Sequence, residues 1–319
     1  MLGSMPWARL GSSPFWIAFT AAFVAAAVWE SAHPLRPLSS TDSRRWRNHV
    51  ALYAISIVCS NLALRTSAVV VAFAAQDSRY GLLNRAFIPY WVSTAAALPA
   101  LDLLLYAGHR LFHSVGFLWR IHEVHHSDHD FDVSTAVRFH PFEVLITQGL
   151  YLGTVALLAP PPAAVFTSEI LRIVENFFVH ANKSLPPRIE RILRWIVITP
   201  DVHRIHHSEE FAEQNLNFGQ LFPWWDRLFR TYASAPAGGP DHLVTGLKEL
   251  RGVDTLPVAW MLAEPFQRTG REGRLQSGWN SHVPPNEACP LCAVPEERQP
   301  ITTASTNPAP TPSPRSARS

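Results

Sequence analysis

Eight histidines fall into three spaced groups: HRLFH at His109 and His113, HEVHH at His122, His125 and His126, and HRIHH at His203, His206 and His207. The segment 109–207 carries eleven of the fifteen histidines in a chain of 319 residues. An even spread would place about five there, so composition alone does not produce the cluster. On a helix, residues i, i+3 and i+4 share one face, so HxxHH aims three imidazoles toward one point and HxxxH aims two. A neutral imidazole nitrogen binds iron, zinc or copper at roughly 2.0–2.2 Å. Eight such nitrogens exceed what one tetrahedral zinc can use. Two adjacent cations would use them all and keep positions open for water, oxygen or substrate.

The elements that must position these groups are apolar helices. Hydrophobic residues make up 47% of the chain and charged ones 16%. Residues 14–32 hold no charge before Glu30 and have the roughly 20-residue length of a bilayer span. A cleaved signal peptide would need a basic cluster that Arg9 alone does not supply, so we read a membrane helix. A second run covers 49–75, interrupted by Arg65, and a third covers 86–107 and leads straight into HRLFH. Residues 144–159 are apolar but short, and Pro160, Pro161 and Pro162 stop them. A further helix over 163–180 returns the chain to the side it left. The expected fold is all-α, an integral-membrane bundle of about four to five membrane helices under a histidine-rich cap. Arg36, Arg44, Arg45 and Arg47 make the first loop cytoplasmic by the positive-inside bias, opposed by Arg79 and Arg85. Three spans then put the first two histidine groups on that cytoplasmic side, and the hairpin brings the third to it.

HxxxH, HxxHH and HxxHH in this order after a membrane helix, with RFHPFE (138–143), FVHANK (178–183) and NFGQLFPWWDRLFRTY (217–232), resemble the fatty acid hydroxylase and sterol desaturase superfamily of integral-membrane di-iron oxygenases. The resemblance covers roughly residues 90–235. It implies two iron ions, dioxygen as co-substrate and oxidation of an unactivated C–H bond in a lipid such as a sterol or fatty acyl chain, by hydroxylation or desaturation. It also implies that His180 is a ligand. Some relatives carry another histidine where this chain has Ser184, which bears on the ligand count of the second metal. The chemistry agrees: zinc has no accessible redox change, whereas a pair of irons can activate dioxygen. No flavin, haem or iron–sulfur motif is visible, so electrons come from a separate reductase, an external electron-transfer protein.

Weaker candidates surround the boxes. His140 beside Pro141 reads equally as ligand, second-layer donor or helix-start residue. Asp102, two turns before His109, could orient a ligand ring or be a buried polar residue held by another helix. Glu143, Glu175, Asn176, Asn215 and Asn217 could hydrogen-bond around the metals. Glu123 faces away from its neighbouring histidines and reads as solvated. Trp224 and Trp225 read as an interfacial anchor before a substrate-pocket wall. A membrane zinc hydrolase would want the general-base spacing of HExxH, but HEVHH puts the second histidine three residues after the first. A non-enzymatic metal-binding membrane protein would spread its ligands along the spans.

The organisation expected is N-terminal membrane helices over 1–85, a catalytic domain over 86–235 and a polar, largely disordered tail over 236–319. Cys289 and Cys292 form one CPLC, half of a zinc site at best, and with Cys59 they make no disulfide framework. Lys183 and Lys248 are the only lysines against abundant arginine and alanine, which suggests a bacterial inner membrane, or the endoplasmic reticulum if eukaryotic. The net charge of +2 gives no case for nucleic-acid binding.

Overall fold

The computed structural model describes residues 12–38, 43–78, 80–85 and 88–267. Among them the regular elements are all helical: α1 Ser12–Ala32, α2 Ser43–Leu64, α3 Ala68–Asp77, α4 Leu82–Arg85, α5 Tyr90–Ser114, α6 Gly116–His126, α7 Pro141–Leu158, α8 Pro162–His180, α9 Pro187–Leu193, α10 Pro200–His206, α11 Phe211–Gln214, α12 Trp224–Leu228 and α13 Val258–Ala263. Four stretches are long and apolar enough to cross a membrane: Pro14–Ala32, Ser43–Asp77, Tyr90–Ser114 and Pro141–Leu158. Their outward faces expose Ile17, Val28, Leu62 and Leu157, apolar side chains suited to lipid.

The second apolar run is two helices. Arg65 takes a left-handed conformation at φ 53°, and the Ser67 side chain accepts from Val70 N–H to start α3. α5 runs unbroken from the apolar segment into His109 and His113, carrying Pro99 inside it. Val115, extended, turns the chain into α6, which presents the second group. Pro141 at the first turn starts α7, and Ala159 ends it at φ 49° before the prolines. That end packs tightly on Gly81, where an added Cβ would lie 2.2 Å from the Ala159 Cβ, at φ 101°.

The core between α3, α5, α7 and α8 is built from Ala68, Ala72, Leu101, Leu105, Tyr151, Val155 and Val165. α1 packs along α8, and α2 along α7.

The loop after α1 lies at the histidine end, where Leu35 N–H donates to Asn182 O at 2.8 Å. Three of the four arginines counted there as a topological signal bond to the cap, while Arg47 is exposed. Arg45 is buried against Asp128 and Asp132, Arg44 meets Asp254 at 3.3 Å, and Arg36 donates to Leu243 O and Pro240 O. Residues 236–267, expected as the start of an open polar tail, are instead folded onto the cap. Leu243, Leu250 and Met261 are buried, and Arg138 donates to Thr255 O at 2.8 Å. Cys289, Cys292 and the rest of 268–319 lie outside the described residues.

Candidate metal centre

Nine histidines converge at the cap end in two adjoining groups. His109, His113, His122, His126 and His206 form one, and His125, His180, His203 and His207 the other; within each group the ligand atoms lie within 4.8 Å of one another. All nine are buried. The groups touch through stacked rings, with His126 and His207 at 4.5 Å between centroids. HxxHH does not aim all its rings at one point. In α6 the i and i+4 rings, His122 and His126, serve the first group and His125 the second. In the third box the i and i+4 rings, His203 and His207, serve the second group and His206 the first. Ligands at i, i+3 and i+4 fan across enough of the helix to bridge two centres.

Hydrogen bonds fix four of the rings. The Nδ1–H groups of His109, His180 and His206 donate to the carbonyls of Phe218 (2.9 Å), Asn176 (2.7 Å) and Leu216 (2.8 Å), and His122 Nδ1 meets Glu143 Oε1 at 2.7 Å. Each Nε2 is thereby left as a lone pair pointing inward. Yet Nε2 of His122 lies 3.1 Å from that of His109, and Nε2 of His180 lies 3.3 Å and 3.2 Å from those of His125 and His203. Nε2 of His113, His206 and His207 is buried without a partner. Between His109 and His122, whose Nδ1 positions are both committed, two lone pairs face each other at 3.1 Å and repel unless a cation sits between them. Two ligand atoms at right angles around an ion with bonds of about 2.2 Å lie about 3.1 Å apart.

Charge state agrees. Burial brings the His122 imidazole down to about 3, and burial with neighbouring histidines holds His125, His126, His203, His206 and His207 well below their ordinary value. Neutral rings are the ligand form. The donor set is all imidazole, which suits redox-active iron as well as zinc and copper.

Around the rings, Phe139 stacks on His125 at 4.4 Å, and Phe131 packs against His207 at 4.9 Å. Beneath them lies a buried polar frame. Arg45 holds Asp128 through two bonds of 2.9 and 2.5 Å and Asp132 at 2.6 Å, while Arg138 donates to Val124 O and Ser127 Oγ at 2.8 Å and meets His49 Nε2 at 2.7 Å. The frame clamps the loop that follows the second box.

Of the weaker sequence candidates Glu143 meets a ring, at His122 Nδ1, and the following lie elsewhere. His140 caps α7, its Nδ1 accepting from Phe142 N–H, and its ring faces Leu262 O at 3.4 Å. Asp102 accepts from Leu221 N–H, Phe222 N–H and Trp225 Nε1–H, so it anchors the 217–232 segment and no histidine. Asn217, at φ 55°, bonds Val202 O and Ala233. Asn215 bonds Phe211 O, and the Asn176 side chain bonds Ala136 O. Glu123, expected to be solvated, is buried. Ser184 bonds Asp201. Sequence reasoning passed over Arg45, which it used only for topology, and His49.

A cavity of about 400 Å³ opens onto both groups, touching His109, His122, His125, His180 and His203. From there it runs between the apolar helices to Trp16, Leu64 and Ser67.

A multi-span helical bundle with two histidine groups suited to metal, opening on a cavity of mixed polar and apolar lining, defines a class of integral-membrane protein. Residues 94–231, somewhat under half of the chain, match the family described as "Fatty acid hydroxylase". It is 34% identical over 170 residues to "Ornithine lipid hydroxylase OlsE" of Rhizobium tropici, covering 53% of this chain and 48% of that protein. It is 29% identical over 156 residues to "Alkylglycerol monooxygenase" of Homo sapiens, covering 48% of this chain and 33% of that one. "Cholesterol 25-hydroxylase" of Mus musculus is 28% identical over 137 residues, with 42% of this chain and 45% of that protein covered. The chain thus spans about half the length, or less, of these relatives. No solved structure matches it.

Proposed function

We propose that this chain is a membrane-bound di-iron lipid hydroxylase, with residues 86–235 as the catalytic domain. The observation that carries the reading is the pair of adjoining, buried imidazole groups, each compact enough to hold a cation, set at one end of a cavity that runs between the helices. His109, His113, His122, His126 and His206 would hold one iron, and His125, His180, His203 and His207 the other. The irons supply activation of dioxygen. In the overall reaction one oxygen atom enters a C–H bond and the other leaves as water, with two electrons from a separate reductase and two protons.

The protein's own part is placement. The carbonyls of Asn176, Leu216 and Phe218, with Glu143, keep the ring nitrogens aimed inward. The cavity walls keep water from the lipid chain and steer its target carbon to the cap end. Hydroxylation is favoured over desaturation because the relatives above are named as hydroxylases and monooxygenases. The cap is assigned to the cytoplasmic side, where a soluble reductase can reach it.

Lipid mass spectrometry of cells with and without the gene tests this reading. A gain of one oxygen that disappears in His125→Ala is expected, and a product that persists in the variant refutes it. Iron content of the purified protein separates the oxygenase from a zinc hydrolase.

A further inference from the structure

Arg172 lies in the wall of the cavity, on α8 eight residues before His180, which is about 12 Å of helix rise from the histidine layer. Its guanidinium carbon sits 5.0 Å over the Tyr151 ring. Among the described residues no hydrogen bond is formed by the guanidinium. Glu169, one turn back on the same helix and also in the cavity wall, makes no ion pair with it within 4.0 Å. Thr147 and Gln148 line the same cavity one turn from Tyr151 toward the cap. A cation at this depth, between apolar helices, is costly unless something pairs with it. The protein itself supplies a ring face, uncharged polar groups and, beyond bonding distance, the Glu169 carboxyl, which interacts with Arg172 through space only.

We propose that Arg172 binds an anionic group, a carboxylate or a phosphate, of the lipid that enters the cavity. Resting on the hydroxylase reading above, this names the substrate class: a lipid with an acidic function held about two helical turns from the metal groups, so that the carbon offered for oxidation is remote from that function. The planar guanidinium offers parallel N–H donors matched to either anion.

Equilibrium binding of labelled palmitate and of 1-hexadecanol to the full chain in non-ionic micelles, at a pH where palmitate is ionised, tests the site without turnover. Wild type is expected to prefer palmitate by about tenfold, the size of one charge-assisted hydrogen bond. Arg172→Gln is expected to bind the two alike with hexadecanol affinity unchanged, and Arg172→Lys to keep part of the preference. Absence of a preference in wild type, or its survival in Arg172→Gln, overturns the assignment. If Arg172→Gln does not fold, wild type carries the test: palmitate must displace bound hexadecanol at about one-tenth of the methyl palmitate concentration needed. Equal potency overturns the proposal. A chain that selects palmitate yet oxidises no lipid refutes the hydroxylase reading and leaves the anion site standing.

Discussion

Glu143→Ala isolates one metal group from the other. Of the four acceptors that fix ring tautomers, three are backbone carbonyls and only Glu143 is a side chain, at 2.7 Å from His122 Nδ1. His122 belongs to the five-histidine group alone. Losing such an outer partner weakens metal binding about 10–100-fold, or about 1.4–2.7 kcal/mol. Glu143→Gln keeps an oxygen in reach of the ring and is expected to lose less than about tenfold. Anaerobic titration of metal-free protein with Fe(II) should show two equivalents in wild type. In Glu143→Ala one equivalent should weaken by the stated factor while the other holds. Equal weakening of both, or of neither, would refute the division of the nine rings into a five and a four.

Further outcomes follow from the frame and the packing. Arg45→Met strands Asp128 and Asp132 in the interior and is expected to cost about 3–5 kcal/mol, read as a fall in melting temperature; adding Asp128→Asn and Asp132→Asn should recover most of it. In metal-free protein, His122, His125, His126, His203, His206 and His207 stay neutral when folded but protonate when unfolded below about pH 6.5. The unfolded chain then binds more protons, so stability should fall as pH drops from about 6.5 toward the folded value of about 3 for His122. A melting temperature flat across that window contradicts the buried, neutral assignment. Gly81→Ala forces a side chain onto Ala159 at a left-handed φ and should destabilise by about 1–3 kcal/mol. Chelation of a metal-loaded sample should lower the melting temperature in proportion to the affinity lost.

The histidine groups and the helical hairpin were legible because periodicity and imidazole spacing are local properties. The partition of each HxxHH between two centres was not, since it depends on where α6 and α10 approach one another. Asp102 shows the same limit: seven residues before His109 it has the right helical phase, but the amides of Leu221 and Phe222 come from over a hundred residues away and take its oxygens. Arg45 looked like a loop charge because its partners lie more than eighty residues on. Arg172 gave no signal because the cavity-facing side of its helix becomes visible only when the other helices are packed around it. The fold of 236–267 rests on scattered anchors such as Leu243, Leu250 and Met261, too widely spaced to give a periodic signal.

The crossed allegiance of the second and third boxes has an evolutionary corollary. Because each of these two boxes lends rings to both groups, deleting either would strip both groups at a stroke. A lineage could therefore not reduce the site to a single group by shedding the second or third box, whereas loss of HRLFH would touch the five-histidine group alone.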